Sequence, residues 1–269
     1  MRLSPLSISL ALFAMLAVGR PAVGTGPIDC TDYRGKGRIR VLLQPDLPAK
    51  AGAPKDGLDI RLEQVFLRPD RMLLSVDWSG LQQRMLAQGS TEQIYQPSMG
   101  MVIERRYLHL DQVEENPITA IQTSLVSLGR VLRAAKSAHV VGKGKVLDYD
   151  CDITEADSKE LIEKLGGLVD SGKGGGLRDG KTKAWVASGY GVPAKLEMYT
   201  AAGNLGMNLT MDELRFNTGV KPEELRLDVP AGTKKVSIDV DLAEKDWQQK
   251  MGQNLRKAMA AASIAQPRS

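Results

Sequence analysis

Apolar and polar residues alternate with a period of two through much of the segment from residue 35 to residue 109. The apolar members of the clearest runs are Ile39, Val41 and Leu43, then Leu58, Ile60, Leu62 and Phe66, and then Met72, Leu74, Val76 and Trp78. This period predicts antiparallel strands with one face on a core and the other in solvent. Turn signals such as Ser79-Gly80 and Gly89-Ser90 separate the runs, which favours consecutive hairpins in a meander.

A second block of strands follows residue 180. In its last run Leu205, Met207, Leu209 and Met211 share one face and polar residues take the other. A sheet of this many strands tends to curl. We therefore expect a mainly β, α+β fold, in which a curved, unclosed antiparallel β-barrel has helices covering its concave face.

The predicted cover is a helix that Asn116-Pro117 opens, because Asn is a good N-cap and Pro suits the first helical position. Apolar residues then recur every three or four positions, at Ile118, Ile121, Leu125, Leu128 and Leu132. Such a stripe is typical of a helix packed on a core. We expect the stripe to be buried against Leu62, Met72, Leu74 or Met101.

Two further helices are predicted. One runs from about Thr154 to Leu168, with Thr154 and Asp157 spaced as a capping box. The glycine-rich segment 166–180 follows it as a loop. The other spans Asp241 to about Ala262, where apolar residues recur every four positions at Trp247, Met251, Leu255 and Met259. The predicted organisation is a signal over 1–24, one domain over 25–240 with an inserted segment near 154–180, and a helix and tail over 241–269.

The first 24 residues have the pattern of a cleaved secretory signal. Arg2 precedes an uncharged apolar run from Leu3 to Val18, and Ala22-Val23-Gly24 supplies small residues for cleavage before Thr25. The run is short for a membrane span. The sequence therefore predicts a periplasmic or secreted protein, with an uncleaved signal-anchor as the alternative.

Charge and motifs argue against several functions. The net charge of +4 falls to +2 once Arg2 and Arg20 leave with the signal, and aromatic residues make up only 4%, so a nucleic-acid partner is not expected. Only His109 and His139 are available as histidine ligands, which supports no metal site. No catalytic or nucleotide-binding motif is present. We expect no enzyme and no cofactor.

Cys30 and Cys151 are the only cysteines. In an oxidising compartment an isolated pair most simply forms one disulfide, which here would tie the mature N-terminus to the middle of the chain. Two separate thiols are the alternative.

Methionine is frequent on the predicted apolar faces. Nine of the eleven lie beyond the signal, at residues 72, 85, 99, 101, 198, 207, 211, 251 and 259. The flexible Met side chain fits ligands of variable shape, and it also fills gaps in ordinary cores. A ligand cavity and a filled core are therefore both open at this point.

The order of short motifs resembles the periplasmic outer-membrane lipoprotein carrier superfamily and its lipoprotein-sorting relatives over about residues 55–238. The motifs are Leu67-Arg68-Pro69-Asp70, Ile94-Tyr95-Gln96-Pro97, Asn116-Pro117, Tyr190-Gly191-Val192-Pro193 and Val229-Pro230-Ala231-Gly232. By position, Arg68 and Pro69 match the family's turn, and Asn116 and Pro117 match the start of its lid helix. The inserted segment, the cysteine pair and the long terminal helix depart from the family.

The resemblance implies that the concave face binds acyl chains beneath helices. The residues expected to line this cavity are Met72, Leu74, Val76, Met85, Met101, Ile121, Leu125, Leu128, Leu132, Leu205, Met207 and Leu209. The expected function is that of a periplasmic carrier or chaperone for lipid or lipoprotein acyl chains, as a monomer. The alternative is an envelope sensor or protein-interaction module with the same fold, partnered by an envelope membrane protein. An exported hydrolase is a third.

Overall fold

A computed structural model describes residues 30–42, 57–112, 118, 121, 124–164 and 177–264. The signal, the Asn116-Pro117 helix start and most of the glycine-rich loop lie outside these ranges. The strands are β1 (Asp32–Val41), β2 (Leu58–Leu67), β3 (Arg71–Trp78), β4 (Leu81–Gln88), β5 (Thr91–Gln96), β6 (Met101–Leu108), β7 (His139–Val146), β8 (Tyr149–Asp157), β9 (Lys181–Ala187), β10 (Val192–Tyr199), β11 (Leu205–Phe216) and β12 (Lys234–Asp241). The α-helices within these ranges are α1 (Leu125–Ala134), α2 (Ser158–Lys164) and α3 (Trp247–Ile264).

The strands form a single twelve-stranded sheet in the order β12-β6-β5-β4-β3-β2-β1-β11-β10-β9-β8-β7. The predicted curved, open β-barrel with helices is confirmed. The prediction of a wholly antiparallel sheet is wrong at one place, because β12 runs parallel to β6 whereas every other neighbouring pair is antiparallel. The long connection from β11 crosses the sheet's outer face and enters β12 beside Gly100, at the end where β6 also begins.

The two faces of the sheet differ in the way the alternation predicts. Apolar residues of the concave face form one large cluster with apolar residues of α1 and α3, and Met72 and Met85 are fully buried in it. A small second cluster lies on the outer face, where Val220 and Leu225 of the β11–β12 connection pack on Leu86. Gln88 Nε2 donates to the Leu225 carbonyl at 3.0 Å and helps to hold this connection in place.

Helix α1 belongs to the concave-face cluster. Its N-cap is Ser124, whose side chain accepts a hydrogen bond from the Ser127 amide at 3.1 Å. The apolar stripe predicted for it shares one cluster with Leu62, Met72, Leu74 and Met101, as expected, although its main strand neighbour is β10. The helical part described begins at Leu125.

The helix predicted from Thr154 to Leu168 is partly wrong. Thr154 and Asp157 lie in β8, where Thr154 pairs with Ala184 of β9, and α2 begins only at Ser158. The β-branched residues Ile153 and Thr154 suit a paired strand, so cross-strand pairing outweighs the capping-box spacing. Burial of Leu161 agrees with the predicted apolar face.

The terminal helix is shorter at its start than predicted. Asp241 is the last residue of β12, and α3 begins at Trp247. The four-residue apolar repeat does face the core: Trp247, Met251, Leu255 and Met259 pack against the main cluster while staying half-buried. Helix α3 lies against β12 and covers the opposite flank of the sheet from α1.

The predicted Cys30–Cys151 disulfide is not formed, and both residues are buried free thiols. Cys30 Sγ donates to the Asp32 carbonyl at 3.3 Å, and Cys151 Sγ donates to the Tyr149 carbonyl at 3.4 Å. Cys30 just precedes β1, whereas Cys151 lies on β8, with β11, β10 and β9 between them in the sheet. A disulfide needs its two Cα atoms within about 7 Å, and each sulfur is instead placed to donate to a carbonyl two residues away along its own segment.

Thiol titration should therefore give two different results for native and denatured protein. Burial, and then Asp32, raise the pKa of Cys30 to about 11, and burial raises the pKa of Cys151. Thiolate is the reactive form, so the native protein should react slowly with an aromatic disulfide reagent. Unreduced protein in denaturant should titrate two thiols. If no thiol is titrated in denaturant, the predicted disulfide is present and the two free thiols described above are wrong.

Candidate functional site

The structure brings nearly all of the predicted cavity residues together. Those that are buried in the main cluster are Met72, Leu74, Met85, Met101, Ile121, Leu125, Leu132 and Leu209. Val76, Leu128 and Met207 are partly buried and pack against the same cluster. Leu205, at the start of β11, is half-buried and lies outside it. These side chains pack against one another as a core, so the cavity itself remains a prediction.

Within the described part of the chain, helices rather than a second sheet cover this apolar face. Helix α1 packs on β10 and α3 packs on β12, near opposite ends of the strand order. Their cover is incomplete, because Leu128 of α1 and Met251 of α3 stay half-buried, as does Val76 of the sheet. A helix held by side-chain packing can move away without breaking any strand pairing. The arrangement is therefore suited to opening along the contact between helices and sheet.

One hydroxyl joins the cover to the sheet. Tyr33 of β1 is fully buried, donates to Gln64 Oε1 at 2.6 Å and accepts a hydrogen bond from the Leu125 amide at 3.0 Å. The Leu125 amide is one of the helix's first N–H groups, which have no partner within the helix. The first turn of α1 is thereby held over β1 and β2. Burial raises the pKa of the Tyr33 hydroxyl, so it stays protonated and able to donate.

Polar residues also lie on the concave face, which the sequence analysis did not identify. Glu92 is completely buried and accepts from Tyr107 Oη at 3.1 Å and from Arg105 Nη1 at 3.3 Å. Burial raises the pKa of the Tyr107 hydroxyl, which keeps it a donor. The signal was present, since Glu92 and Arg105 are cross-strand partners two residues from Ile94 and Ile103, which are themselves paired. This cluster places a buried carboxyl group, hydrogen-bonded by Tyr107 and Arg105, at the β5–β6 side of the core.

An open pocket of about 350 Å³ lies elsewhere, beside β9 and the turn after β10. The residues that line it include Glu155, Lys181, Lys183 and Tyr199. It contains none of the predicted cavity residues. In the part of the chain that is described, no three His, Cys, Asp or Glu residues are placed to hold a metal ion. No helix within those ranges is long and apolar enough to span a membrane.

No protein-family model matches the chain, and no curated protein matches it. Solved structures do match. An uncharacterized conserved protein from Thermus thermophilus is 8% identical, with a TM-score of 0.44 over 78% of this chain and 92% of that one. A chain of the Pseudomonas aeruginosa MucA/MucB complex is 10% identical, with a TM-score of 0.39 over 73% of this chain and 56% of that one, so this chain spans just over half of its length.

A LolA superfamily protein from Nitrosomonas europaea is 14% identical, with a TM-score of 0.30 over 81% of this chain and 97% of that one. It belongs to the superfamily that the sequence motifs resemble. Since these TM-scores are below 0.5, the similarities carry no inference about function. That inference rests on the residues of this chain.

Proposed function

We propose that this protein is a periplasmic carrier or chaperone that holds lipid or lipoprotein acyl chains between the concave face of the sheet and its covering helices. One observation carries the proposal. In the described ranges, an apolar face built by most strands of an open sheet is covered by helices, and α1 and α3 keep apolar side chains half-buried where they meet the core. An acyl chain can replace the contacts that such a helix makes.

The energetics of this exchange are favourable. Burying a methylene is worth about 0.8 kcal/mol, and micromolar affinity requires about 8 kcal/mol. Ten methylenes supply about 8 kcal/mol before the costs of ordering the chain and displacing a helix, so micromolar affinity calls for an acyl chain several methylenes longer than that. Met85, Met207 and Met251 suit the role because an unbranched thioether side chain adapts to a mobile ligand.

The proposal predicts that Leu128→Arg abolishes saturable binding of a fluorescent fatty-acyl probe while the protein stays folded. Leu128 is half-buried on the stripe of α1, so an arginine there can reach solvent yet occupies the path of the chain. Leu125 is a poorer choice, because it is 2% exposed and a buried arginine there would disrupt the packing of α1 on the sheet.

The matched control is Val140→Arg, which adds the same side chain to an exposed position of β7. It should leave probe binding unchanged. Wild-type protein that binds no acyl probe, or a Leu128→Arg variant that binds it normally, would contradict the proposal.

A second candidate, a protein-interaction module, is favoured by the edge strand β7. It is last in the strand order, and its Val140 and Val141 are 60% and 47% exposed. An exposed edge with apolar side chains can pair with a strand of another chain. Here Val140→Arg would abolish capture of an envelope membrane protein partner and Leu128→Arg would not, the reverse of the carrier result.

A further inference from the structure

Three arginines lie at one end of the half-barrel. Arg68 is in the turn between β2 and β3, where its amide donates to the Thr31 carbonyl at 2.9 Å. Arg130 and Arg133 are three residues apart on α1, a spacing that places two side chains on one helix face. Arg133 Nη1 donates to the carbonyl of Gly191 at 2.9 Å, in the turn before β10. Through the pairing of β2, β1, β11 and β10, these two turns belong to the same end of the sheet.

No carboxylate in the described ranges of the chain lies in direct contact with these guanidinium groups. The three arginines form no ion pair there, and Arg68 Nε is buried without a hydrogen-bond partner. The nearby Asp32 carboxylate is taken up by Thr218 and Gly219, and the Asp70 carboxylate lies beside Gly89 of the β4–β5 turn.

Repulsion between these positive charges affects the pKa of two of the arginines. Burial and then repulsion from Arg68 lower the pKa of Arg130. Burial and then repulsion from Arg130 lower the pKa of Arg133. Arg130 and Arg133 are exposed on α1, so an anion can reach them, and an anion bound between like charges relieves their repulsion.

Aromatic residues stand at the same end. Tyr190, in the turn before β10, stacks on Phe216 with ring centroids 4.2 Å apart, and Tyr149 meets Phe216 edge-on at 4.9 Å. Tyr149 and Tyr190 are half-buried, which leaves part of each ring accessible. Such rings suit the boundary between an apolar chain and a polar headgroup.

We propose that Arg68, Arg130 and Arg133 form an oxyanion site that takes the phosphate of an amphiphile whose acyl chain lies under α1. Guanidinium groups match phosphate oxygens in a bidentate geometry and stay charged at any physiological pH. This inference rests on the proposed carrier function and deepens it.

The test compares a monoacylglycerol phosphate with the uncharged monoacylglycerol of the same chain length, both measured by displacement of a fluorescent acyl probe. Wild-type protein should bind the phosphate-bearing ligand at least about tenfold more tightly, as charge-assisted hydrogen bonds allow. The double variant Arg130→Gln/Arg133→Gln should reduce that preference, measured as the ratio of the two affinities in the same variant, to about twofold or less. Arg130→Gln alone, which leaves the hydrogen bond from Arg133 to Gly191 intact, should lower the preference in the same direction.

The matched control is Arg61→Gln/Arg215→Gln, which removes two exposed arginines from β2 and β11 and should keep the preference. If millimolar inorganic phosphate displaces the charged ligand but not the uncharged one, the result supports a site for phosphate itself. If it displaces neither and the preference stays intact, the result supports a headgroup that is bound together with its acyl chain. Equal binding of both ligands by wild-type protein, or a preference that survives the double variant, would overturn the arginine site and leave the carrier function standing. Failure to bind either ligand would overturn both.

Discussion

Gly129→Ala is expected to lower the free energy of unfolding by about 2 kcal/mol, because the added methyl group overpacks the contact between α1 and the sheet. A Cβ at residue 129 would lie 2.1 Å from the Gly191 carbonyl oxygen and 3.3 Å from Pro193 Cδ. Neither neighbour can rotate away as a flexible side chain could, so the helix or the turn must shift. The shift would also strain the hydrogen bond from Arg133 to Gly191.

The sign of this effect makes it diagnostic. In a helix with free space, Gly→Ala is stabilising by about 1 kcal/mol. Gly252 in α3 offers that control, since the nearest atom to a methyl group added there would be Arg256 Nη1 at 4.0 Å. Denaturant unfolding should therefore show Gly129→Ala destabilised and Gly252→Ala slightly stabilised. Equal, stabilising effects at both positions would mean that α1 does not pack on the β9–β10 turn as described.

Asp32→Asn is expected to cost about 2–3 kcal/mol of stability, because charge-assisted hydrogen bonds in a buried site are lost. The Asp32 carboxylate is 4% exposed and accepts from the Thr218 amide at 2.7 Å, the Thr218 hydroxyl at 2.9 Å and the Gly219 amide at 3.2 Å. It thereby fixes the start of β1 to the chain that leaves β11. Asp59→Asn is the control, since the Asp59 ion pair with Arg40 is half-exposed at both partners and is expected to contribute less than about 1 kcal/mol.

The same carboxylate predicts a pH dependence. Burial alone would raise the pKa of Asp32, but the hydrogen bonds from Thr218 and Gly219 outweigh it and hold the pKa below its ordinary value. A carboxyl group with a lower pKa in the folded state stabilises the fold above its unfolded pKa of about 3.9 and loses that contribution as the pH falls through the folded pKa. The stability difference between wild type and Asp32→Asn should thus be constant above about pH 5 and shrink in more acidic solution. A difference that stays constant down to about pH 3 would contradict this role.

Much of the fold could be predicted because one face of the sheet is buried and the other is wet. That condition forces the period-two pattern, and Met72, Leu74 and Met85 lie on the concave face as the pattern requires. The helical stripes of α1 and α3 were visible for the same reason. The Thr154 capping-box pattern failed because it is a local signal, and pairing of Thr154 with Ala184 depends on a strand 30 residues away along the chain.

The features of the site that could not be predicted depend on long-range placement. No local pattern shows that Cys30 and Cys151 are separated by three strands, or that the turn with Arg68 and the turn that Arg133 of α1 contacts lie at the same end of the sheet. Glu92 could have been placed on the concave face because it lies two residues from Ile94 on the same strand. Its hydrogen bonds from Arg105 and Tyr107 depend on the pairing of β5 with β6.

The central claim is that an acyl chain occupies the space between the helices and the concave face. Native mass spectrometry of protein exported by its host and purified without detergent tests this most directly, together with organic extraction of the same sample. The account predicts added mass from bound acyl lipid in wild-type protein, recovered in the extract, and its loss in Leu128→Arg but not in Val140→Arg. Wild-type protein at its bare polypeptide mass, with no lipid in the extract, would contradict it.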